Sequence, residues 1–204
     1  MDQQSQANGT QASENIPPTI SHGGHEVFDA HEVISSMIGL LDQYQLYDSH
    51  IQDPELKSMI TSQSMFLTEL YNIMVETVQT GEKPSQSTHV YKMAQNNDVI
   101  YGLKPSQPSK PIQSVNDLSD QHLSSYMLGQ VKSLASLMSM SALEITNPVL
   151  RRVIADSVPN LIEMSYEVFL YQNKHGYYQV PQLAPQDLTQ LTHSFAPASQ
   201  QSLN

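Results

Sequence analysis

Two stretches of this chain resemble each other at a fixed distance. Asp53-Pro54-Glu55-Leu56-Lys57 and Asn147-Pro148-Val149-Leu150-Arg151 stand 94 residues apart, and each opens a long run of apolar residues at helical spacing. Over the window Asp53 to Glu69 the same offset pairs Pro54 with Pro148, Leu56 with Leu150, Ile60 with Ile154, Leu67 with Leu161 and Glu69 with Glu163, five identities in 17 positions. Another helix-like run precedes each copy. Repetition at a fixed offset constrains architecture more than any local signal. Here it predicts an all-α fold, a four-helix bundle made from a duplicated helical hairpin.

Local signals place the helices. Val27, Ile34 and Leu41 recur every seven residues, with Ala30, Met37, Ile38 and Tyr44 beside them, which predicts a first helix from about His25 to Ile51 entered through Gly23-Gly24. Asp53 before Pro54 is an N-cap followed by proline at the first helical position; Ile60, Leu67 and Met74 carry the second helix to Thr80, where Gly81 stops it. Ser119 or Asp120 opens a third helix with Leu123, Met127, Val131, Leu134, Met138, Ala142 and Ile145 inward. Asn147-Pro148 restarts the chain as a fourth, with Leu150, Ile154, Leu161 and Val168 inward, ending near Lys174-His175-Gly176. Pro159 falls inside that helix, where it kinks the axis or releases the carbonyl of Ala155.

Between the second and third helices lie 38 residues, 81–118, with glycine or proline at 81, 84, 102, 105, 108 and 111 and no sustained helical period. Helix-helix connections are usually far shorter. A bundle with short, long and short connections is the ferritin-like arrangement, with one crossover joining the two hairpins. Within it Lys104-Pro105-Ser106-Gln107-Pro108-Ser109-Lys110-Pro111 reads as an extended polyproline II strap. The domain limits follow: a polar tail over 1–21, a bundle over 22–182 and a Gln/Ser/Pro-rich tail over 183–204, both tails expected to be disordered.

Composition excludes whole classes of function. The chain has no cysteine, so disulfide scaffolds, thiolate metal sites and cysteine nucleophiles are out. The net charge is −11, and residues 1–83 hold 12 acids against two lysines. Such a surface repels phosphate backbones and anionic bilayers, so neither nucleic-acid nor membrane binding is expected. Met1 to Ile20 has no basic start and no apolar run, and is expected to be neither a signal peptide nor a span. No phosphate loop, dinucleotide fingerprint or nucleophile elbow occurs.

Ferritin-like bundles hold two metals with one Glu on each of two helices and Glu-x-x-His on each of the others. Here Glu69 is followed by Leu70-Tyr71-Asn72 and Glu163 by Met164-Ser165-Tyr166, so both motifs lack their histidine, and the third helix has no acid between Asp120 and Glu144. Glu32, Glu69 and Glu163 leave at most a degenerate centre. A second cluster, His22, His25, Glu26, Asp29, His31 and Glu32, opens the first helix. His25, Asp29 and Glu32 share one face and form a candidate N/O metal site. Acids in a first turn also simply meet the helix dipole, and histidines beside a Gly-Gly entry are ordinarily solvated. The ten methionines fall mostly on apolar stripes and read as core filling. Tyr91, Tyr101, Tyr177 and Tyr178 lie in or beside the strap and serve either to pack it or, exposed, as cross-linking sites.

The segment Asp120 to Tyr178, with Ala142-Leu143-Glu144-Ile145-Thr146-Asn147-Pro148-Val149-Leu150-Arg151-Arg152 at its turn and His175-Gly176-Tyr177-Tyr178 at its exit, resembles the coat F domain of spore coat proteins from endospore-forming bacteria. His22-Gly23-Gly24-His25-Glu26 and Tyr101-Gly102-Leu103-Lys104-Pro105-Ser106-Gln107-Pro108 are similar to longer members of that family. The resemblance implies a ferritin-like fold and association with the spore coat, and carries over no catalytic residue. The expectation is a non-enzymatic structural or interaction protein of the endospore coat. It would be made in the mother-cell cytoplasm during sporulation, need no cofactor, and partner other coat proteins or copies of itself. The alternative is a metal-binding or metal-dependent ferritin-like enzyme using His25, Asp29 and Glu32; a helical adaptor is a third reading.

Overall fold

A computed structural model describes residues 23–199. The tail expected over 1–21, and His22 of the histidine cluster, lie outside the described residues. Four long helices dominate: α1 (Gly24–Asp48), α2 (Pro54–Thr80), α3 (Asp120–Glu144) and α4 (Pro148–Lys174). No strand occurs among the described residues, and the fold is all-α. The helices pack in the cyclic order α1, α2, α4, α3, each against two neighbours.

The two hairpins match in their dimensions. α1 and α3 each have 25 residues, and α2 and α4 each have 27. Asp53 caps α2 by accepting the Glu55 N–H at 2.8 Å, and Asn147 caps α4 by accepting the Val149 and Leu150 N–H groups at 2.9 Å. Proline follows each cap, where its missing N–H costs nothing. α2 stops as expected at Gly81, whose φ of 63° lies in the left-handed region that glycine enters without strain.

Reciprocal carboxylates join the hairpins at their corners. Glu26, in the first turn of α1, is buried and accepts the N–H and the hydroxyl of Thr146 and the N–H of Asn147, at the corner between α3 and α4. Asp120, the first residue of α3, accepts the N–H groups of Gln52 and Asp53 at 3.0 and 3.1 Å, at the corner between α1 and α2. Each hairpin thus satisfies backbone donors of the other, and α1 must run antiparallel to α3. Contacts of the α4 end with the α2 start, such as Lys174 Nζ to Glu55 Oε2 at 2.7 Å, make that pair antiparallel too.

The core follows the expected stripes on three helices. Leu56, Ile60 and Leu67 are buried as fully as their repeat partners Leu150, Ile154 and Leu161. On α1 the stripe is rotated: Ala30, Val33, Met37, Leu40 and Tyr44 face inward, whereas Val27 and Ile38 are 45% and 42% exposed. The expected heptad of Val27, Ile34 and Leu41 ran along the edge of the interface, because a helix touching two neighbours buries a wider arc than one seven-residue series describes. α1 also ends at Asp48, three residues earlier than expected. α4 continues unbroken through Pro159; Pro159 and Ala155 are both exposed, so water is within reach of the freed carbonyl.

The crossover between α2 and α3 contains only a 3-10 turn, Val115–Asp117. Beyond α4, Pro185–Thr192 forms a short helix α5 with no buried residue, started by Pro185 and carrying Asp187 in its first turn.

Candidate functional site

One buried polar network links α1, α2, α4 and the crossover inside the core, towards the end where α1 meets α2. Tyr44 of α1 donates its hydroxyl to Gln63 Oε1 of α2 at 2.7 Å. Gln63 Nε2 donates to Glu167 Oε2 of α4 at 3.0 Å and to the Met164 carbonyl at 3.1 Å. Glu167 Oε2 also accepts the Tyr91 hydroxyl at 2.5 Å, and its Oε1 accepts the Ala94 N–H at 3.0 Å. Tyr91 and Ala94 belong to the crossover, so a loop supplies two of the three donors that hold this carboxylate. Glu167 is 3% exposed, and among the described residues no basic side chain pairs with it. A carboxylate in such surroundings needs its full set of donors, because an unmet one costs as much as a lost charged hydrogen bond.

Two asparagines extend this attachment along α4. Asn160 accepts the Tyr91 N–H at 2.8 Å and donates to the His89 carbonyl at 3.0 Å. Asn173 accepts the Ile100 N–H and donates to the Ile100 and Tyr178 carbonyls at 2.9 and 3.0 Å. Asn160, Glu167 and Asn173 recur at nearly two-turn spacing, which puts them on one edge of α4. Each bonds backbone of the crossover, at buried Tyr91 and at the more exposed Ala94 and Ile100. Gln95 reaches Glu55 of α2 at 3.0 Å, and the Tyr91 ring meets Phe66 edge-on at 5.3 Å, so the crossover occupies the groove between α2 and α4.

Three buried tyrosines are held protonated: Tyr44 and Tyr91 of the network, and Tyr171, which donates to Asp53 at 3.1 Å. Burial, with neighbouring Tyr91 and Glu167, pushes the Tyr44 hydroxyl well above its ordinary 10.0. Burial and the Glu167 carboxylate do the same to Tyr91, and burial with Asp53 does so to Tyr171. A group whose folded pKa is raised stabilises fully below its unfolded pKa and loses that contribution as pH rises through the folded value. Stability should therefore fall above pH 10 while these three tyrosines stay protonated until the chain unfolds. A tyrosinate absorbance titration alongside circular dichroism should show a late step coincident with loss of helix. Titration of all ten tyrosines before any loss of helix would contradict it.

The residues expected to bind metal sit elsewhere. His25 and Glu32 are exposed and Asp29 is half-buried, all on the outside of α1. Among the described residues no three His, Asp or Glu side chains are gathered in a way that could hold a metal ion. Glu69 is exposed and Glu163 half-buried, so the acid at the centre is Glu167 instead, one turn beyond Glu163. Gln63 was legible in the sequence as the polar member of the series Ile60, Gln63, Leu67, Leu70 and Met74.

The comparisons with known proteins fit this architecture. Residues 119–181, covering α3, α4 and the exit from α4, match the family model described as the Coat F domain. Over 203 residues, 98% of this chain and 94% of the relative, the sequence is 48% identical to the spore coat protein F-like protein YhcQ of Bacillus subtilis. The chain belongs to the spore coat protein F-like family. As a member of that family it is a protein of the spore coat. A Bacillus halodurans crystal structure, of a protein assigned to the spore coat, shares the fold at a TM-score of 0.57 and 16% identity, covering 80% of this chain and 95% of that one. No described helix is long and apolar enough to cross a membrane.

Proposed function

We propose that this protein is a non-enzymatic structural or interaction component of the endospore coat: a ferritin-like four-helix bundle, one unit over residues 22–182, made in the mother-cell cytoplasm during sporulation. It acts through its surfaces, by binding other coat proteins or copies of itself. The observation that carries this reading is the closed state of the bundle centre. Ferritin-like metalloenzymes keep inward-facing carboxylates and histidines there for metal. Among the described residues Glu167 is the one carboxylate buried between α2, α4 and the crossover, and both its oxygens are engaged by Gln63, Tyr91 and the Ala94 amide. The crossover covers the α2/α4 groove, and Glu167 beneath it is 3% exposed. Family membership supplies the setting.

The test is to follow the protein through sporulation with a fluorescent fusion and to fractionate the mature spores. The reading expects signal that begins in the mother cell and ends in the extractable coat. Protein confined to the spore core or to the vegetative cytoplasm would overturn it.

A further inference from the structure

The crossover changes character at Tyr101. From His89 to Ile100 its backbone is fastened to α4; from Leu103 to Pro111 every residue is exposed. None of residues 105–112 forms a hydrogen bond or ion pair with the described remainder of the protein. Both ends of this free stretch are nevertheless fixed. At its start Gln179 accepts the Lys104 N–H and donates to the Lys104 carbonyl, and the Gly102 N–H bonds the Val180 carbonyl at 2.9 Å. At its end Asp117 accepts the N–H groups of Gln113 and Ser114 at 3.1 and 3.0 Å.

Between these anchors the conformation is restricted by covalent structure. Six of the eight residues from Lys104 to Pro111 are prolines or precede one, and both classes are confined to extended geometry. Polyproline II has three residues per turn. Pro105, Pro108 and Pro111 therefore line one edge, and Lys104, Gln107 and Lys110 line another. No acid lies between Asp98 and Asp117, so this is a basic ridge on a chain of net charge −11. Such a segment, already ordered and already extended, loses little entropy on docking. Proline edges of this kind are bound by rows of aromatic rings.

A row of that kind exists on the same molecule. Tyr166 stacks on Phe169 at 5.7 Å and Phe169 meets Tyr178 edge-on at 5.2 Å. Tyr166 and Phe169 are half-buried and Tyr178 is 43% exposed; Ile162, one turn before Tyr166, is 57% exposed. Successive prolines stand about 9 Å apart along polyproline II, a spacing of the same order as this row of three rings with steps of 5.7 and 5.2 Å. Glu163, between Ile162 and Tyr166 on the same helix, offers a carboxylate to a lysine edge. The Lys104–Gln179 bonds put the start of the strap one residue from Tyr178, so donor ridge and acceptor row lie side by side. Their adjacency is what a two-fold interface requires, since each subunit must present both halves about the axis.

We propose that the chain pairs with a second copy of itself by reciprocal docking. The Pro105/Pro108/Pro111 edge of each strap lies on the Tyr166, Phe169 and Tyr178 rings of the other, with a strap lysine towards Glu163 at the end of the row away from Lys132, which sits 5.7 Å over the Tyr178 ring. The inference rests on the surface-mediated coat role and names one partner and one surface for it.

The test is sedimentation velocity of the full chain over a concentration series, at low and moderate salt. The wild type is compared with a triple variant Pro105→Ala, Pro108→Ala and Pro111→Ala, with Lys104→Glu plus Lys110→Glu, and with Tyr178→Ala. The strap positions are fully exposed, so these variants should keep the wild-type circular dichroism and melting temperature. The proposal expects a wild-type dimer that weakens with salt, and a dissociation constant raised roughly tenfold or more by either strap variant and by Tyr178→Ala. A dimer insensitive to both strap variants overturns it, as does a wild-type chain that stays monomeric throughout. In either case the coat role stands if fractionation still finds the protein in the coat, so the two failures are distinguishable.

Discussion

Glu167→Ala is expected to lower the free energy of unfolding by about 3–5 kcal/mol, the largest effect of any polar substitution in the core. The change removes one of the two acceptors of the buried Gln63 amide, strands the buried Tyr91 hydroxyl and removes the acceptor of the N–H of exposed Ala94. It also leaves a cavity where the side chain stood. Most of the damage should appear in the crossover, because two of the three donors belong to it. Urea unfolding gives the total. Hydrogen exchange should then show the Tyr91 and Ala94 amides losing protection ahead of the amides of α3. Glu167→Gln should cost less, since its carbonyl oxygen still accepts a bond while its amide group opposes the remaining donors. A loss under about 1 kcal/mol for Glu167→Ala would mean that the network is solvated and the crossover held mainly by Asn160 and Asn173 of α4.

The corner carboxylates give a second, comparative expectation. Glu26 and Asp120 occupy corresponding places in the two hairpins, each bonding backbone donors of the other, but they differ in burial. Glu26 is 1% exposed and serves three donors across Thr146 and Asn147. Asp120 is half-buried and serves two. Glu26→Ala should therefore cost about 3 kcal/mol, and Asp120→Ala about 1 kcal/mol, because water can replace the carboxylate at the more open corner. The two sites are at opposite ends of the helices, so the double variant should show additive losses. Equal costs for the two substitutions would show that burial does not separate them.

Much of this architecture was written in local chemistry. Asp53-Pro54 and Asn147-Pro148 announced the starts of α2 and α4, Gly81 announced the end of α2, and the offset of 94 gave the second hairpin from the first. These signals are readable because caps and left-handed stops act within four or five residues. The rotation of α1 was not readable, since which arc a helix buries depends on where its two neighbours stand. The centre was harder still. Glu163 attracted attention through its repeat partner Glu69, yet the buried acid is Glu167, whose repeat counterpart is the apolar Ile73. What draws Glu167 inward is Tyr91 and Ala94, more than seventy residues earlier in a segment with no periodic pattern. Asn160 and Asn173 share that fate: their partners are backbone groups, and a backbone amide leaves no mark in a sequence.

The same contrast explains the histidine-rich opening of α1. His25, Asp29 and Glu32 are a face by spacing alone, and the fold turns that face outward, where two of the three are exposed. Glu26, which spacing placed in the same acidic cluster, is instead drawn into the corner by Thr146 and Asn147. A first-turn acid can serve its own helix or another hairpin, and only the packing decides which.

The central claim is that this protein works through its surfaces, with its α2/α4 groove covered by its own crossover. Elemental analysis tests it most directly, on full chain purified without chelator and without a polyhistidine tag, beside the double variant His25→Ala and Asp29→Ala. The account predicts metal far below one equivalent in both proteins. Stoichiometric metal in the wild type, lost in the double variant, would contradict it and return the α1 cluster to the centre of the protein's function.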